Sequence, residues 1–309
     1  MHNNQFVISS SPHIRSEDTI SKIMFTVLIA LLPTTLAGIY FFRFEAVSVI
    51  TAAILSCLIT EAAIQKIRKK PVTLSDGSAF VTGLLLGLTL PPGLPLWIAV
   101  VGGFISIALG KMVFGGLGHN IFNPALVGRA FLLTTFPVYM TTWIQPFDTI
   151  TGATPLNLLA MEGIKTGYFD LLVGRVGGSI GETSAILVLI GGLYLLYKGY
   201  IDWRIPVGYL GSVFLFTLII GQDPIFHLLS GGLMLGAFFM ATDMVTTPIT
   251  KKGRWIFGIC AGFILVIIRV YGGFPEGVLY SILFMNALTP LINRYTRSKV
   301  FGEVTCNEY

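Results

Sequence analysis

Ten apolar runs follow one another along the chain, at roughly 23–42, 46–64, 78–90, 95–114, 123–142, 182–198, 204–220, 225–242, 255–271 and 277–294. Runs near 20 residues predict helices that cross a bilayer, because about 20 residues at 1.5 Å each cover its ~30 Å hydrocarbon core. Several runs are shorter or are cut by Gly and Pro. The third passes from Asp76-Gly77-Ser78 through Thr82-Gly83 to Thr89-Leu90-Pro91-Pro92-Gly93 with only about 13 apolar residues, too few for a straight crossing. The eighth ends at Ala241-Thr242-Asp243-Met244-Val245-Thr246-Thr247-Pro248. Both predict half-helices whose freed backbone groups are tolerated in a bilayer only where they are buried in protein or line a site.

The apolar pattern also repeats. Gly83-Leu84-Leu85-Leu86-Gly87 returns as Gly232-Leu233-Met234-Leu235-Gly236, Gly103-Phe104-Ile105 as Gly262-Phe263-Ile264, and Val113-Phe114-Gly115-Gly116 as Val270-Tyr271-Gly272-Gly273. Asn123 and Pro124 have a looser echo in Asn286 and Pro290. Five runs lie in each half, and an odd number of crossings sets the halves upside down. The expected fold is an all-α integral membrane protein of about ten transmembrane helices in two inverted five-helix repeats with broken half-helices. Its parts are a single membrane domain over 1–309, a first repeat over 20–142, a loop over 143–181 and a second repeat over 182–295.

Composition agrees. The 309 residues are 54% hydrophobic and 11% charged, against about 25% charged in a soluble domain, and mean hydropathy is +0.80. The net charge of +5 is therefore no nucleic-acid footprint, and its distribution reports orientation. Arg15 and Lys22 precede the first run, Lys66, Arg68, Lys69 and Lys70 follow the second, Lys198 and Arg204 flank the sixth-to-seventh turn, Lys251, Lys252 and Arg254 follow the eighth, and Arg294, Arg297 and Lys299 follow the tenth. With ten crossings these all fall on one side, expected to be the cytoplasm of a bacterial inner membrane, with both termini there. Segment 143–181, with only Lys165 and Arg175, is expected outside. Residues 1–19 are polar, and no cleavable signal is expected.

Chemistry-bearing residues are few. Cys57, Cys260 and Cys306 are scattered without metal-ligand spacing. His119 and His227 are the only histidines near apolar runs, which disfavours a bis-His haem. No P-loop and no dinucleotide fingerprint is present, and no acid–base pair marks an enzyme acting alone. Asp76 and Asp243 sit at the ends of the two half-helices, as caps or as carboxylates on a cation path, with Glu61 and Glu276 as weaker candidates. The block from Lys111 to Ala130 combines Gly115, Gly116 and Gly118 with Asn120, Asn123 and Arg129. Its amides suit the uracil-like edge of a flavin, or equally serve as interhelical glue with Arg129.

Between the two halves lies Asp148-Thr149-Ile150-Thr151-Gly152-Ala153-Thr154-Pro155-Leu156, a polar, Gly-containing run that reads as a surface loop accessible to a modifying enzyme. It resembles the D-x-x-[ST]-G-A-T signature of the family that unites the D subunit of the Rnf complex with the B subunit of the sodium-translocating NADH:quinone oxidoreductase. Asp76-Gly77-Ser78-Ala79-Phe80-Val81-Thr82, Leu90-Pro91-Pro92 to Trp97, Phe114 to Arg129, Pro275-Glu276-Gly277 and Asn286-Ala287-Leu288-Thr289-Pro290 occur in family order, and the short N-terminus resembles the Rnf branch.

The resemblance implies FMN joined by a phosphoester to Thr154, attached by a transferase using FAD. It also implies a second, non-covalent riboflavin near Asn120 and Asn123, and a role as electron carrier in an ion-translocating ferredoxin:NAD+ oxidoreductase moving Na+ or H+. Implied partners are a second covalent-FMN subunit, two small membrane subunits, and soluble iron–sulfur and nucleotide-binding subunits. One departure is Asp76, where the quinone-reductase relative carries Glu. A channel or transporter for a small polar solute is the rival expectation, since inverted repeats with half-helices serve such proteins too.

Overall fold

The computed structural model describes residues 18–147, 150–272 and 276–297. Arg15, Asp148, Pro275 and Lys299, named above for orientation or motif, lie outside them. All ten apolar runs are helical for at least part of their length. The first two form one element, α1 (Ile20–Ile67), which breaks at Arg43, where φ 52 and ψ −129 leave helical space. Each half of α1 runs roughly 35 Å at 1.5 Å per residue, enough for the hydrocarbon core. Thr19 caps its start by accepting from the Lys22 N–H.

Then come α2 (Ser78–Thr89), α3 (Leu96–Ile107) extended by a π turn over Ala108–Met112, α4 (Pro124–Thr135) and α5 (Pro137–Met140). In the middle segment lie α6 (Pro155–Glu162) and α7 (Tyr168–Val173). The second half holds α8 (Ala185–Lys198), α9 (Arg204–Ile220), α10 (Pro224–Leu229), α11 (Leu233–Leu235) with a π turn over Gly236–Met240, α12 (Lys251–Tyr271) and α13 (Val278–Thr296). Two of these, α1 and α12, are long and apolar enough to cross a membrane, while α2, α8, α9 and the stretch Leu96–Met112 are shorter apolar helices.

Three expectations need correction. The run at 225–242 is not one helix: it is cut at Ser230-Gly231-Gly232, where Gly231 takes φ 68, a conformation that suits a residue without Cβ. Segment 143–181 is not a plain loop. Strands β1 (Trp143–Ile144) and β2 (Thr151–Gly152) pair antiparallel, Trp143 opposite Gly152 and Ile144 opposite Thr151, and α6 and α7 follow. Nor are the carbonyls at the end of the first half-helix free, because Leu88 O accepts from Gly181 N at 2.6 Å and Leu90 O from Ile180 N at 3.1 Å. The middle segment thus supplies the donors that α2 lacks.

Small residues bring the helices together. A Cβ on Gly83 of α2 would lie 2.6 Å from the Ile54 Cα of α1. On α3, a Cβ on Gly103 would meet the Ser56 side chain at 2.8 Å and the Ala53 carbonyl at 3.0 Å, while on α12 one on Gly262 would overlap the Ser212 side chain and meet the Tyr209 carbonyl at 2.7 Å. Such close approach gives dispersion contact that bulkier side chains would forbid. Phe25, Leu36, Leu55, Ile59, Leu215, Ile219 and Phe263 project outward instead, an apolar surface that lipid solvates and water does not.

Candidate functional site

Thr154 is the N-cap of α6. Its Oγ accepts from the Asn157 N–H at 3.3 Å, and Pro155 pre-sets the first helical turn. Contrary to the exposed loop expected from the sequence, Thr154 is only 5% exposed. It opens instead onto a cavity of about 230 Å³ that it shares with Arg129, Trp143, Met140, Leu133, Glu276 and Tyr280. Asp148, the acid of the motif, is outside the described residues.

Arg129 is therefore not grouped with Asn120 and Asn123. It lies six residues along α4 from Asn123, about 9 Å at 1.5 Å per residue, and faces the Thr154 cavity. Its Nη2 donates to Glu276 Oε2 at 2.5 Å, and its Nη1 stands 3.6 Å from Glu182 Oε1. Glu182 is itself held by the Ser179 N–H at 3.4 Å. Arg269 of α12 donates to His227 O at 2.6 Å and Ser230 O at 3.0 Å, carbonyls at the end of α10. Oε1 of Glu182, Oε1 of Glu276, Nε of Arg269 and both ring nitrogens of His227 are buried without a hydrogen bond among the described residues.

Sequence reading missed Glu182, Arg269 and His227 here. The available signal was that a charge inside or beside an apolar run needs a partner. Asp223 ties the middle segment to α10, capping Phe226 N at 3.2 Å and accepting from the Tyr168 hydroxyl and from Lys165. The Tyr168 hydrogen bond first, then the Phe226 N–H and Lys165, outweigh burial and hold its carboxyl below the usual carboxylate range.

These residues fit a flavin phosphate. A hydroxyl sits at a helix N-terminus, whose dipole favours an anion, and Arg129 lines the same cavity. Trp143 and Tyr280 offer aromatic faces. The cavity is smaller than the roughly 300–1,000 Å³ of common small-molecule sites, so a flavin anchored at Thr154 would extend through the cavity mouth.

At the other end of α4, Asn123 is fully engaged. Its Oδ1 accepts from Ala125 N at 3.1 Å, its Nδ2 donates to Met240 O at 3.3 Å, and its own N–H donates to Asn286 Oδ1 at 3.3 Å. Asn286 Nδ2 and Thr289 Oγ1 both donate to Thr246 O, at 3.4 and 3.0 Å. Two carbonyls of the second broken segment, those of Met240 and Thr246, are thus satisfied by side chains. Asn120 differs: its Nδ2 donates to Phe122 O at 3.2 Å, but its Oδ1 is buried with no partner among the described residues.

Asn120, Asn123 and Asp243 share an interior cavity of about 90 Å³. Asp243 is half-buried and accepts from Thr246 Oγ1 at 3.2 Å. Asp76 lines a separate vestibule of about 550 Å³, where its Oδ1 caps α2 by accepting from Ser78 N at 2.8 Å and Ser78 Oγ at 2.7 Å. Between the two spaces lies a buried pair that sequence reading did not join. Lys111 reaches Glu61 of α1 at 2.7 Å. Among the described residues no three His, Cys, Asp or Glu side chains form a metal-binding group.

The family model described as NQR2, RnfD, RnfE family matches residues 7–302, and the chain belongs to that family. It is 51% identical, over 98% of this chain and 97% of the relative, to the D subunit of the Na(+)-translocating ferredoxin:NAD(+) oxidoreductase complex of Acetobacterium woodii. It is 48% identical, over 97% of both chains, to the D subunit of the proton-translocating ferredoxin:NAD(+) oxidoreductase complex of Clostridium ljungdahlii. It is 42% identical, over 92% of both, to the D subunit of the ion-translocating oxidoreductase complex of Stutzerimonas stutzeri.

Proposed function

We propose that this member of the NQR2, RnfD, RnfE family is the D-type membrane subunit of an Rnf-type complex, carrying electrons between reduced ferredoxin and NAD+ while the complex moves Na+ or H+. What carries the reading is near-complete alignment, at 48 and 51% identity, with two chains named as that subunit. One is named for protons and the other for sodium, so similarity supports either ion.

Within that reading Thr154 holds FMN through a phosphoester. Bound there, the flavin supplies one- and two-electron redox chemistry. The chain's own residues do the rest. The α6 N-terminus and Arg129 would face the negative charge of the phosphodiester, Trp143 and Tyr280 would supply aromatic lining, and the burial of Thr154 would limit water at the ester. Asn120, with its spare Oδ1, would hold the second, non-covalent flavin, riboflavin by resemblance, and Asn123 is framework. Asp243 is the better-placed of the two acids for an ion path, since Asp76 is engaged as a cap. Partners are the second covalent-FMN subunit, two small membrane subunits, and soluble iron–sulfur and nucleotide-binding subunits.

The fold proposed is a single membrane domain with inverted repeats over 20–142 and 182–295, both ends cytoplasmic and 143–181 outside. Two contacts support the repeat. Gly103 meets Ser56 and the carbonyl three residues before it, as Gly262 meets Ser212 and the carbonyl three residues before it. The echoing residues Asn123 and Asn286 touch each other, as residues beside a pseudo-twofold axis do. The one-sided basic loops support the orientation.

The test is to purify the assembly through a tag on this chain, reconstitute it in vesicles, and supply reduced ferredoxin with NAD+. NADH formation accompanied by uptake of 22Na+ or by acidification is expected. A tagged chain that purifies without electron-transfer subunits, or NADH formation with neither ion moving, contradicts the reading.

A further inference from the structure

Lys111 is 1% exposed, and its ammonium spends every N–H within the protein. It donates to both oxygens of Glu61 at 2.7 Å and to Ser78 Oγ at 2.6 Å. Glu61 is equally buried and also accepts from Gln65 Nε2 at 3.1 Å. Ser78 passes its own proton on to Asp76 Oδ1 at 2.7 Å. Three elements meet here: α1, α2 and the π turn after α3.

The position of this cluster is what sets it apart from a structural ion pair. Glu61, Gln65 and Asp76 line the 550 Å³ vestibule, at the end of the molecule that carries Arg68 and Lys70. Lys111 and Ser78 line the 90 Å³ interior cavity with Asn120 and Asp243. The pair stands between the two spaces, which also adjoin at Leu117. On its inner side, the buried Oδ1 of Asn120 stands without a partner among the described residues.

A buried ion pair adds little net stability, since well-packed apolar residues of equal volume often do as well or better. Its energetics therefore leave room for another role. If the ammonium withdrew, the two Glu61 oxygens and Ser78 Oγ would remain, an all-oxygen donor set of the kind that suits a hard cation, and ionisable groups at membrane depth mark ion routes. The backbone beside Lys111 departs from regular helix. A π turn carries the lysine, a feature frequent at functional sites. Gly115, Gly116 and Gly118 follow at φ 123, 108 and 90, a conformation that suits residues without Cβ.

We propose that Lys111 is a tethered cation that closes a gate. With its ammonium on Glu61 and Ser78 the vestibule and interior cavity are separate, and a mobile monovalent cation, Na+ or a proton, joins them by taking its place at those oxygens. This rests on the ion-translocating reading above.

The test uses the reconstituted complex, with 22Na+ uptake and acidification each measured per NADH formed, so that a general loss of activity cancels. The wild-type complex must move one of the ions; if it moves neither, the functional reading fails, not the gate. Lys111→Met combined with Glu61→Gln removes both charges at similar volume, and is expected to lower ions moved per NADH by about tenfold or more. Ser78→Ala keeps the ion pair and is expected to lower the same ratio by about threefold. Wild-type ratios in both variants overturn the gate. If the double variant does not assemble, the Ser78→Ala ratio alone decides it.

Discussion

The two ends of α4 lead to sites of opposite character. Around Arg129 the polar groups outnumber their partners, and Glu182, Glu276, Arg269 and His227 each keep a buried atom without a hydrogen bond among the described residues. Around Lys111 every donor is spent, on two carboxylate oxygens and one hydroxyl. Buried polar atoms without partners are rare and call for an explanation; two of these are carboxylate oxygens, which take a donor, while Arg269 Nε takes an acceptor. A saturated network binds nothing further until one of its members leaves. The first is the geometry of a place that takes up a group, the second that of a closure.

The sharpest way to break this contrast is at Arg129. Arg129→Gln leaves Glu182 and Glu276 facing one cavity without their shared guanidinium, and losing hydrogen bonds to charged groups costs about 1.5–3 kcal/mol. The detergent-solubilised complex should melt lower by differential scanning fluorimetry, and flavin loading at Thr154 should drop. Loading and melting both at the wild-type level would mean that Arg129 serves neither the carboxylates nor the phosphate.

A smaller effect separates the two asparagines. Asn123→Leu removes a cap and a bond to the Met240 carbonyl, worth about 1–2 kcal/mol. It should destabilise the complex without altering covalent flavin. Asn120→Leu removes one local bond and a spare acceptor, so it should scarcely move the melting temperature while lowering extractable riboflavin. If Asn123→Leu lowers riboflavin at unchanged stability and Asn120→Leu does not, the two roles are reversed.

The apolar runs made the helices legible, because runs of about 20 apolar residues survive any tertiary detail. What the sequence hid was local or remote. The break of α1 at Arg43 is not part of this, because it falls between the apolar runs at 23–42 and 46–64. The two-residue strands and the helices of eight and six residues in 143–181 are too short to carry a period, so the segment read as a loop. The Thr154 motif was readable, but its burial was not. Glu276 and Tyr280, which share its cavity, come from more than a hundred residues away. The same holds for Lys111 and Glu61, 50 positions apart. Closeness in sequence groups Arg129 with Asn123, whereas the helix axis carries it to the other site.

The central claim is that Thr154 bears the flavin, and the intact mass of the chain tests it most directly. Produced with a transferase that moves FMN from FAD, the denatured wild-type chain should gain the mass of one FMN less one water, as a phosphoester requires. Thr151→Ala should gain it too, because Thr151 lies exposed on β2, and Thr154→Ala should not. A wild-type chain at its unmodified mass beside an active transferase, or a Thr154→Ala chain still carrying the adduct, contradicts the account.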